Sequence, residues 1–367
     1  MGLLRALGAQ DSAVLMVFAL PIVGQSHRPA PAGPRGLPTI ERAAPRMVRV
    51  SLTDRCDMAC TYCRPSRNDG YLPADDRLDL DTWEALLRGL VREGVRRVRI
   101  TGGEPLLYRD LVAFVGRASA LGLDDLALTT NASRLAPLAA ALRAAGLTRI
   151  TISLDTLDPD RFAAITRGGD LGAVLAGIEA ARSAGFDEIK TNTVVLRGDN
   201  DHDLPALTAW AWDRGITPRF IEVMGVGEGA NVWRDKLVPM RVQRERLAHL
   251  LCDDDPERDP ERGPARYVEA RDGSGRRVGF ISGSTDTYCG GCDRLRATSD
   301  GTLRPCLATN DGVALGPSLR EAVRVGADPG ALVAEGLAAA WEKKPDALWK
   351  GCTEVTARTV SMRATGG

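Results

Sequence analysis

From residue 47 onward, short apolar runs with strand character alternate with longer stretches whose apolar positions recur at helical spacing. Strands are predicted at 48–52, 97–101, 126–130, 149–154, 188–195 and 219–223, with helices between them at 80–93, 111–122, 136–145, 171–185 and 203–214. Gly94, Gly122, Gly146, Gly185 and Gly215 stand where each helical pattern stops, as helix C-termini favour. Strands joined through helices imply parallel pairing and right-handed crossovers. The fold class is therefore α/β, an open partial barrel of the (β/α)6 kind, with a doubly wound sheet as the alternative. In either architecture ligands gather beyond the C-terminal ends of the strands. A cysteine-rich loop follows the first strand, a Gly-Gly turn the second, Asn131 the third, Asp155 the fourth and Met224 the sixth.

The alternation stops near Arg234. Residues 242–252 look helical, 266–270 and 277–281 flank a turn-rich Asp272-Gly273-Ser274-Gly275 that signals a hairpin, and 319–341 is rich in alanine and leucine. The expected organisation is a partial barrel over 47–234 and a smaller C-terminal domain over 235–367. Residues 1–46 read differently. The apolar run at 13–23 is too short to span a bilayer and contains Pro21, and a proline- and arginine-rich linker follows. Asp11 before the run and the lack of a small-residue cleavage site argue against a signal peptide, so 1–46 is expected to be a disordered extension.

At 367 residues with 44% apolar content, the chain can build one large domain and a smaller one. Lysine plus arginine and aspartate plus glutamate both number 48, which excludes the strongly basic balance of a general nucleic-acid binder. Eight cysteines fall into three, three and two, a grouping that favours reduced thiolates on metal, and hence a cytoplasmic setting, over disulfides.

Cys56, Cys60 and Cys63 suit three corners of a cubane iron–sulfur cluster, leaving one iron open to a small molecule. Zinc usually takes its thiolates in two close pairs, which a lone Cys-x3-Cys-x2-Cys fits poorly. Thr101-Gly102-Gly103-Glu104-Pro105 follows 38 residues after Cys63, where glycines admit close backbone approach and proline fixes the exit. The cysteine triplet and this turn together resemble the radical S-adenosylmethionine enzymes. That resemblance implies the partial (β/α)6 TIM-like barrel and an open iron that chelates S-adenosylmethionine.

Cys289 and Cys292 form a second set with Cys306, with thirteen residues between the last two. The alternatives are a zinc ribbon short of one ligand, or a site completed by Cys252 or Cys352. The two cysteine spacings, Arg294-Leu295-Arg296 and the terminal Gly366-Gly367 resemble the GTP 3′,8-cyclase family of molybdenum cofactor biosynthesis. The resemblance implies two [4Fe–4S] clusters, the second held by the smaller domain, with guanine on the second open iron. It implies GTP contacts at Arg49, Arg99, Thr129, Lys190, Arg294, Leu295 and Arg296, and S-adenosylmethionine contacts at Tyr62, Gly103, Ser153 and Met224. Arg294, Arg296, Gly366 and Gly367 would serve the ring closure, the glycine tail entering the active site. It further implies an electron donor of the flavodoxin or ferredoxin type, a cyclic pyranopterin monophosphate synthase acting downstream, no membrane or nucleic-acid partner, and room for a homodimer. Arginine forks suit phosphate oxygens, which agrees with a triphosphate substrate.

The chain departs from the family pattern at Asp57, where asparagine is usual, at Ala132, where glycine is usual, at Arg64 and Gly225, and in a 344–349 segment without its histidine. None removes a cluster ligand. The departures leave a second reading open, a related radical enzyme acting on a peptide or another nucleotide. A non-catalytic zinc scaffold is the third.

Overall fold

The computed structural model describes residues 45–64, 70–258, 263–289, 292–345 and 361–365. Six parallel strands lie in sequence order: β1 (Met47–Ser51), β2 (Arg97–Thr101), β3 (Asp125–Thr130), β4 (Arg149–Ser153), β5 (Glu188–Val195) and β6 (Thr217–Glu222). The helices between them are α1 (Leu80–Arg92), α2 (Leu111–Ser119), α3 (Ala139–Ala144), α4 (Pro159–Thr166), α5 (Leu171–Ser183) and α6 (Leu204–Trp212). Aspartates start several of them: Asp79 accepts from Thr82 N, Asp158 from Arg161 N, and Asp170 from Gly172 N and Ala173 N. One strand face is apolar. Val48, Val50, Val98, Ile100, Leu126, Leu128, Ile150 and Ile152 are buried in one core with Leu86, Leu90, Phe114, Leu142 and Ile178 of the helices. The period-2 alternation places charged and hydroxyl side chains on the opposite face.

That inner face is strongly curved. Arg99 on β2 and Arg219 on β6 both donate to the Thr151 hydroxyl on β4, at 3.3 and 3.2 Å. In a flat sheet these two strands would stand about 19 Å apart, at ~4.8 Å per strand. The two arginines close over β4 from either side, in keeping with the barrel-like curl that the βα pattern predicts.

The sheet continues across residue 234. The expected hairpin is β8 (Arg266–Glu269) with β9 (Arg277–Ile281), and β9 pairs parallel with β6. At the other edge β10 (Arg294–Ala297) pairs parallel with β1. With β7 (Glu257–Arg258), β11 (Thr302–Arg304) and β12 (Val313–Ala314) the sheet has twelve strands among the described residues, extended on both flanks by the C-terminal segment. Helices α7 (Gly229–Lys236) and α8 (Met240–Arg246) precede the hairpin; α8 is shorter than the 242–252 expected. The alanine-rich stretch is two helices, α9 (Gly316–Arg324) and α10 (Gly330–Glu342), separated by a turn in which Gly326 has φ +70°. Arg46, placed in the expected disordered extension, already joins the sheet through its N–H to Asp293 O; residues 1–44 lie outside the described residues. Among the described residues no helix is long and apolar enough to cross a membrane.

Candidate active site

The loop after β1 carries the first cysteine trio and is held by backbone hydrogen bonds. Ala59 N donates to Thr166 O and Thr61 N to Ile165 O, so the end of α4 supports it, and Arg64 Nη1 reaches Cys56 O and Met58 O. The Gly-Gly-Glu-Pro turn packs directly beneath. Gly103 N donates to Thr53 O and Glu104 N to Arg55 O. A Cβ on Gly102 would sit 2.7 Å from Thr53 O, and one on Gly103 would sit 2.3 Å from Arg55 O. The glycines thus permit this loop-on-loop contact while still lining the cavity. Glu104 is buried and accepts from Leu106 N, Thr130 Oγ1 and Asn131 N; burial raises its carboxyl to about 7 against those bonds.

A cavity of about 240 Å³ opens over the C-terminal strand ends. Cys56, Cys60 and Cys63 line it on one side, and Tyr288, Arg294 and Arg296 on another. The second trio neighbours that second wall: Cys289 and Cys292 act electrostatically on Tyr288, and Cys306 and Cys292 on Arg296. The two trios meet opposite fields. Burial, then Glu104, pushes the Cys56 thiol up to about 12, and burial, then Asp155, raises Cys60. Burial also opposes ionisation of Cys292, but Arg294 and Lys344 outweigh it and bring that thiol down to about 7.

Other expected contacts also lie on the cavity wall: Arg49, Tyr62, Gly103, Thr129, Ser153 and Met224. Tyr62 Oη donates 2.7 Å to Asp155 Oδ2, and burial raises Asp155 to about 6 despite this bond and one from Val194 N. Arg99 and Lys190 stand one inward-facing position below the lining residues Thr101 and Asn192 on their strands. Leu295 differs: its side chain is buried in the helix-facing core, so only its main chain can approach a ligand. Arg296 Nη1 donates 2.5 Å to Thr365 O, and Met362 lines the cavity, so the C-terminal turn reaches the site. Gly366, Gly367 and Cys352 lie outside the described residues.

Two residues of the inner face escaped the sequence reading. Arg219 is 5% exposed, and its Nε is buried with no hydrogen-bond partner among the described residues; the Oδ1 of Asn192, on the cavity wall, is likewise orphaned. The signal was their period-2 register: Asn192 pairs with both Ser153 and Arg219. The inner face is a crowd of cations. Burial lowers Arg49, with Arg296, Arg99 and Arg294 adding to it, and burial lowers Arg99 to about 10, with Arg219 adding. Buried like charges of this kind call for an anion.

The first trio, three thiols of one loop at the cavity edge, can offer one thiolate to each of three iron corners. Among the described residues no three His, Cys, Asp or Glu side chains converge on one metal point. A tetrahedral zinc needs thiolates only about 4 Å apart, whereas a cubane takes one thiolate per iron corner and holds them wider. Cys252 does not complete the second set. It sits beside Ala270 and Glu269, and Glu269 pairs with Arg277 at the opposite end of the strands. The unusual Asp57 is accommodated: it accepts from Asn131 Nδ2 and Ser133 Oγ, with Arg134 Nε at 3.5 Å. Ala132, where glycine is usual, adopts φ +61°.

Residues 50–211 match the radical SAM superfamily and 216–349 the Molybdenum Cofactor Synthesis C family. The chain is 44% identical over 292 residues to the GTP 3′,8-cyclase of Rhodopseudomonas palustris strain TIE-1, covering 78% of this chain and 82% of that one. It is 41% identical over 328 residues to the GTP 3′,8-cyclase of Erythrobacter litoralis, covering 87% and 95%. Among solved structures, Streptococcus suis SuiB bound to precursor peptide SuiA matches with TM-score 0.58 at 16% identity, over 88% of this chain and 71% of that one, which shows the fold. The first trio, the turn beneath it and the matching families together imply one [4Fe–4S] cluster and S-adenosylmethionine. With both halves of the chain matched and more than four-fifths of each of these two relatives covered, the chain belongs to the GTP 3′,8-cyclase family of radical SAM enzymes.

Proposed function

We propose that this chain cyclises GTP to (8S)-3′,8-cyclo-7,8-dihydroguanosine 5′-triphosphate, the first step of molybdenum cofactor biosynthesis. The observation that carries the reading is a single cavity edged by one cysteine trio and by the arginines beside the other, above a lumen of buried cations. Cys56, Cys60 and Cys63 would hold the first cluster and Cys289, Cys292 and Cys306 a second. When bound, the first cluster and S-adenosylmethionine supply the radical chemistry.

This chain's residues bind, orient and exclude water. The Tyr62–Asp155 pair beside Cys60, with Ser153, Asn192 and Met224 elsewhere on the cavity wall, would hold S-adenosylmethionine. Arg49, Thr129, Arg294 and Arg296 would hold the nucleoside, with Arg99, Lys190 and Arg219 below them for the triphosphate. Because Arg296 fastens Thr365 O, the Gly366-Gly367 tail would be delivered to the same chamber. An electron donor of the flavodoxin or ferredoxin type, a downstream cyclic pyranopterin monophosphate synthase and a cytoplasmic setting belong to this reading.

Anaerobic incubation with GTP, S-adenosylmethionine and dithionite, followed by mass spectrometry, tests it. Consumption of GTP without change of mass, together with 5′-deoxyadenosine, supports it. Formation of 5′-deoxyadenosine with GTP untouched points to the peptide- or nucleotide-modifying alternative.

Two binding predictions follow from the lumen. Arg219→Met removes charged hydrogen bonds worth about 1.5–3 kcal/mol, so GTP affinity in calorimetry should fall roughly 10- to 100-fold, with Arg219→Lys intermediate. Burial, then Arg219, lowers Lys190 to about 8, against its bond to Glu188. The free protein therefore loses this charge as pH rises through about 8, while a polyphosphate favours the ammonium and raises its pKa. Binding takes up a proton in that window, so affinity is full below about pH 8 and declines above it. Lys190→Met should bind more weakly at pH 7 and lose this decline.

A further inference from the structure

Lys344 follows α10 and is half-buried. Its ammonium donates 2.6 Å to Arg294 O and 2.8 Å to Pro305 O, and stands 5.1 Å from the Trp341 ring centroid. The two carbonyls belong to opposite arms of the β10–β11 hairpin. Its ladder is registered only at Arg296 with Arg304 and Ala297 with Leu303, and opens beyond them. Cys292 and Cys306 lie on the two arms past that opening, Cys306 directly after Pro305. Lys344 is thus a third-party clamp where backbone pairing has ended, at the mouth in which the second trio assembles. The same ammonium lies within interaction range of the Cys292 and Cys306 sulfurs.

We propose that Lys344 is a positioning residue for the second cysteine trio, setting the gap between its two arms and supplying a cation that raises the reduction potential of the group held there. The proposal rests on the reading that this trio holds an iron–sulfur cluster, whose potential depends on local charge.

The test uses the full chain with Cys56, Cys60 and Cys63 replaced by alanine, reconstituted anaerobically with iron and sulfide, so that bound iron reports the second trio. Lys344→Met and Lys344→Arg are compared with this parent by iron and sulfide content and by dithionite titration followed by electron paramagnetic resonance. Lys344→Met should keep less than half the iron. What remains should have a midpoint more negative by about tenfold in the one-electron equilibrium, ~59 mV. Lys344→Arg should hold the parental potential, because the charge persists, yet retain less iron, because a planar fork replaces a compact donor. Unchanged iron and potential in Lys344→Met overturn the proposal, as does an equal shift of potential in both variants. Should Lys344→Met lose its melting transition, Lys344→Arg decides alone: parental iron with an altered potential overturns the proposal. A parent that binds no iron refutes the cluster reading itself, a separate result.

Discussion

Replacing Cys56, Cys60 and Cys63 together by alanine should remove about four irons per chain and abolish formation of 5′-deoxyadenosine, while the protein remains folded. The equivalent change at Cys289, Cys292 and Cys306 should also remove about four irons, yet leave some cleavage of S-adenosylmethionine and no consumption of GTP. The difference follows from the walls of the chamber. The first trio shares its side with Gly103, Ser153 and the Tyr62–Asp155 pair, and the second lies against Tyr288, Arg294 and Arg296. Folding should survive both changes because the thiols are not the core: the fully buried large side chains are Trp83, Phe114, Phe162, Phe220, Phe280 and the strand and helix aliphatics. Iron and sulfide counting, mass spectrometry and thermal melts of each variant check this. Equal loss of 5′-deoxyadenosine in both would remove the division of labour between the two sites.

Gly103→Ala should be nearly as damaging without touching a cysteine. Its Cβ would lie 2.3 Å from Arg55 O, 2.6 Å from the Arg55 carbonyl carbon and 2.8 Å from Asp54 O. All three are backbone atoms, so no rotamer relieves the clash, and the loop leading to Cys56 must move. Overpacking of this kind costs about 1–3 kcal/mol, which at ~2–4 °C per kcal/mol lowers the melting temperature by about 2–12 °C. Iron at the first trio should fall by more than half while iron at the second is kept. Gly116→Ala is the control. It sits inside α2 with open space where the Cβ would go, and removing a mid-helix glycine should stabilise by about 0.5–1 kcal/mol. Scanning calorimetry and metal analysis of the two variants separate a local clash from a general intolerance of added methyls.

The order of strands and helices was legible because it is written locally. Period-2 and helical spacing, aspartates at helix starts and glycines at helix ends act within a few residues, and the six central strands lie within two residues of their expected bounds. Edge elements were harder. Strand β10 is four residues, Arg-Leu-Arg-Ala, with too few apolar positions to declare itself, and its pairing with β1 comes from across the whole barrel. Helix α8 ends at Arg246, and Leu251, inside the expected helix, forms an isolated bridge to Ala270.

The cysteine spacings, the Gly-Gly-Glu-Pro turn and Arg294-Leu295-Arg296 were enough, on their own, to identify the chemistry, because metal ligation and tight turns demand particular atoms at short chain separations. Only the folded chain decided which distant side chains share a volume. Curvature brings Arg99 and Arg219 onto one hydroxyl, register puts Asn192 on the cavity wall and turns Leu295 away from it, and the end of α10 carries Lys344 to the open end of a hairpin. Those encounters depend on strand twist and on side chains separated by dozens to hundreds of residues, and no local pattern encodes them.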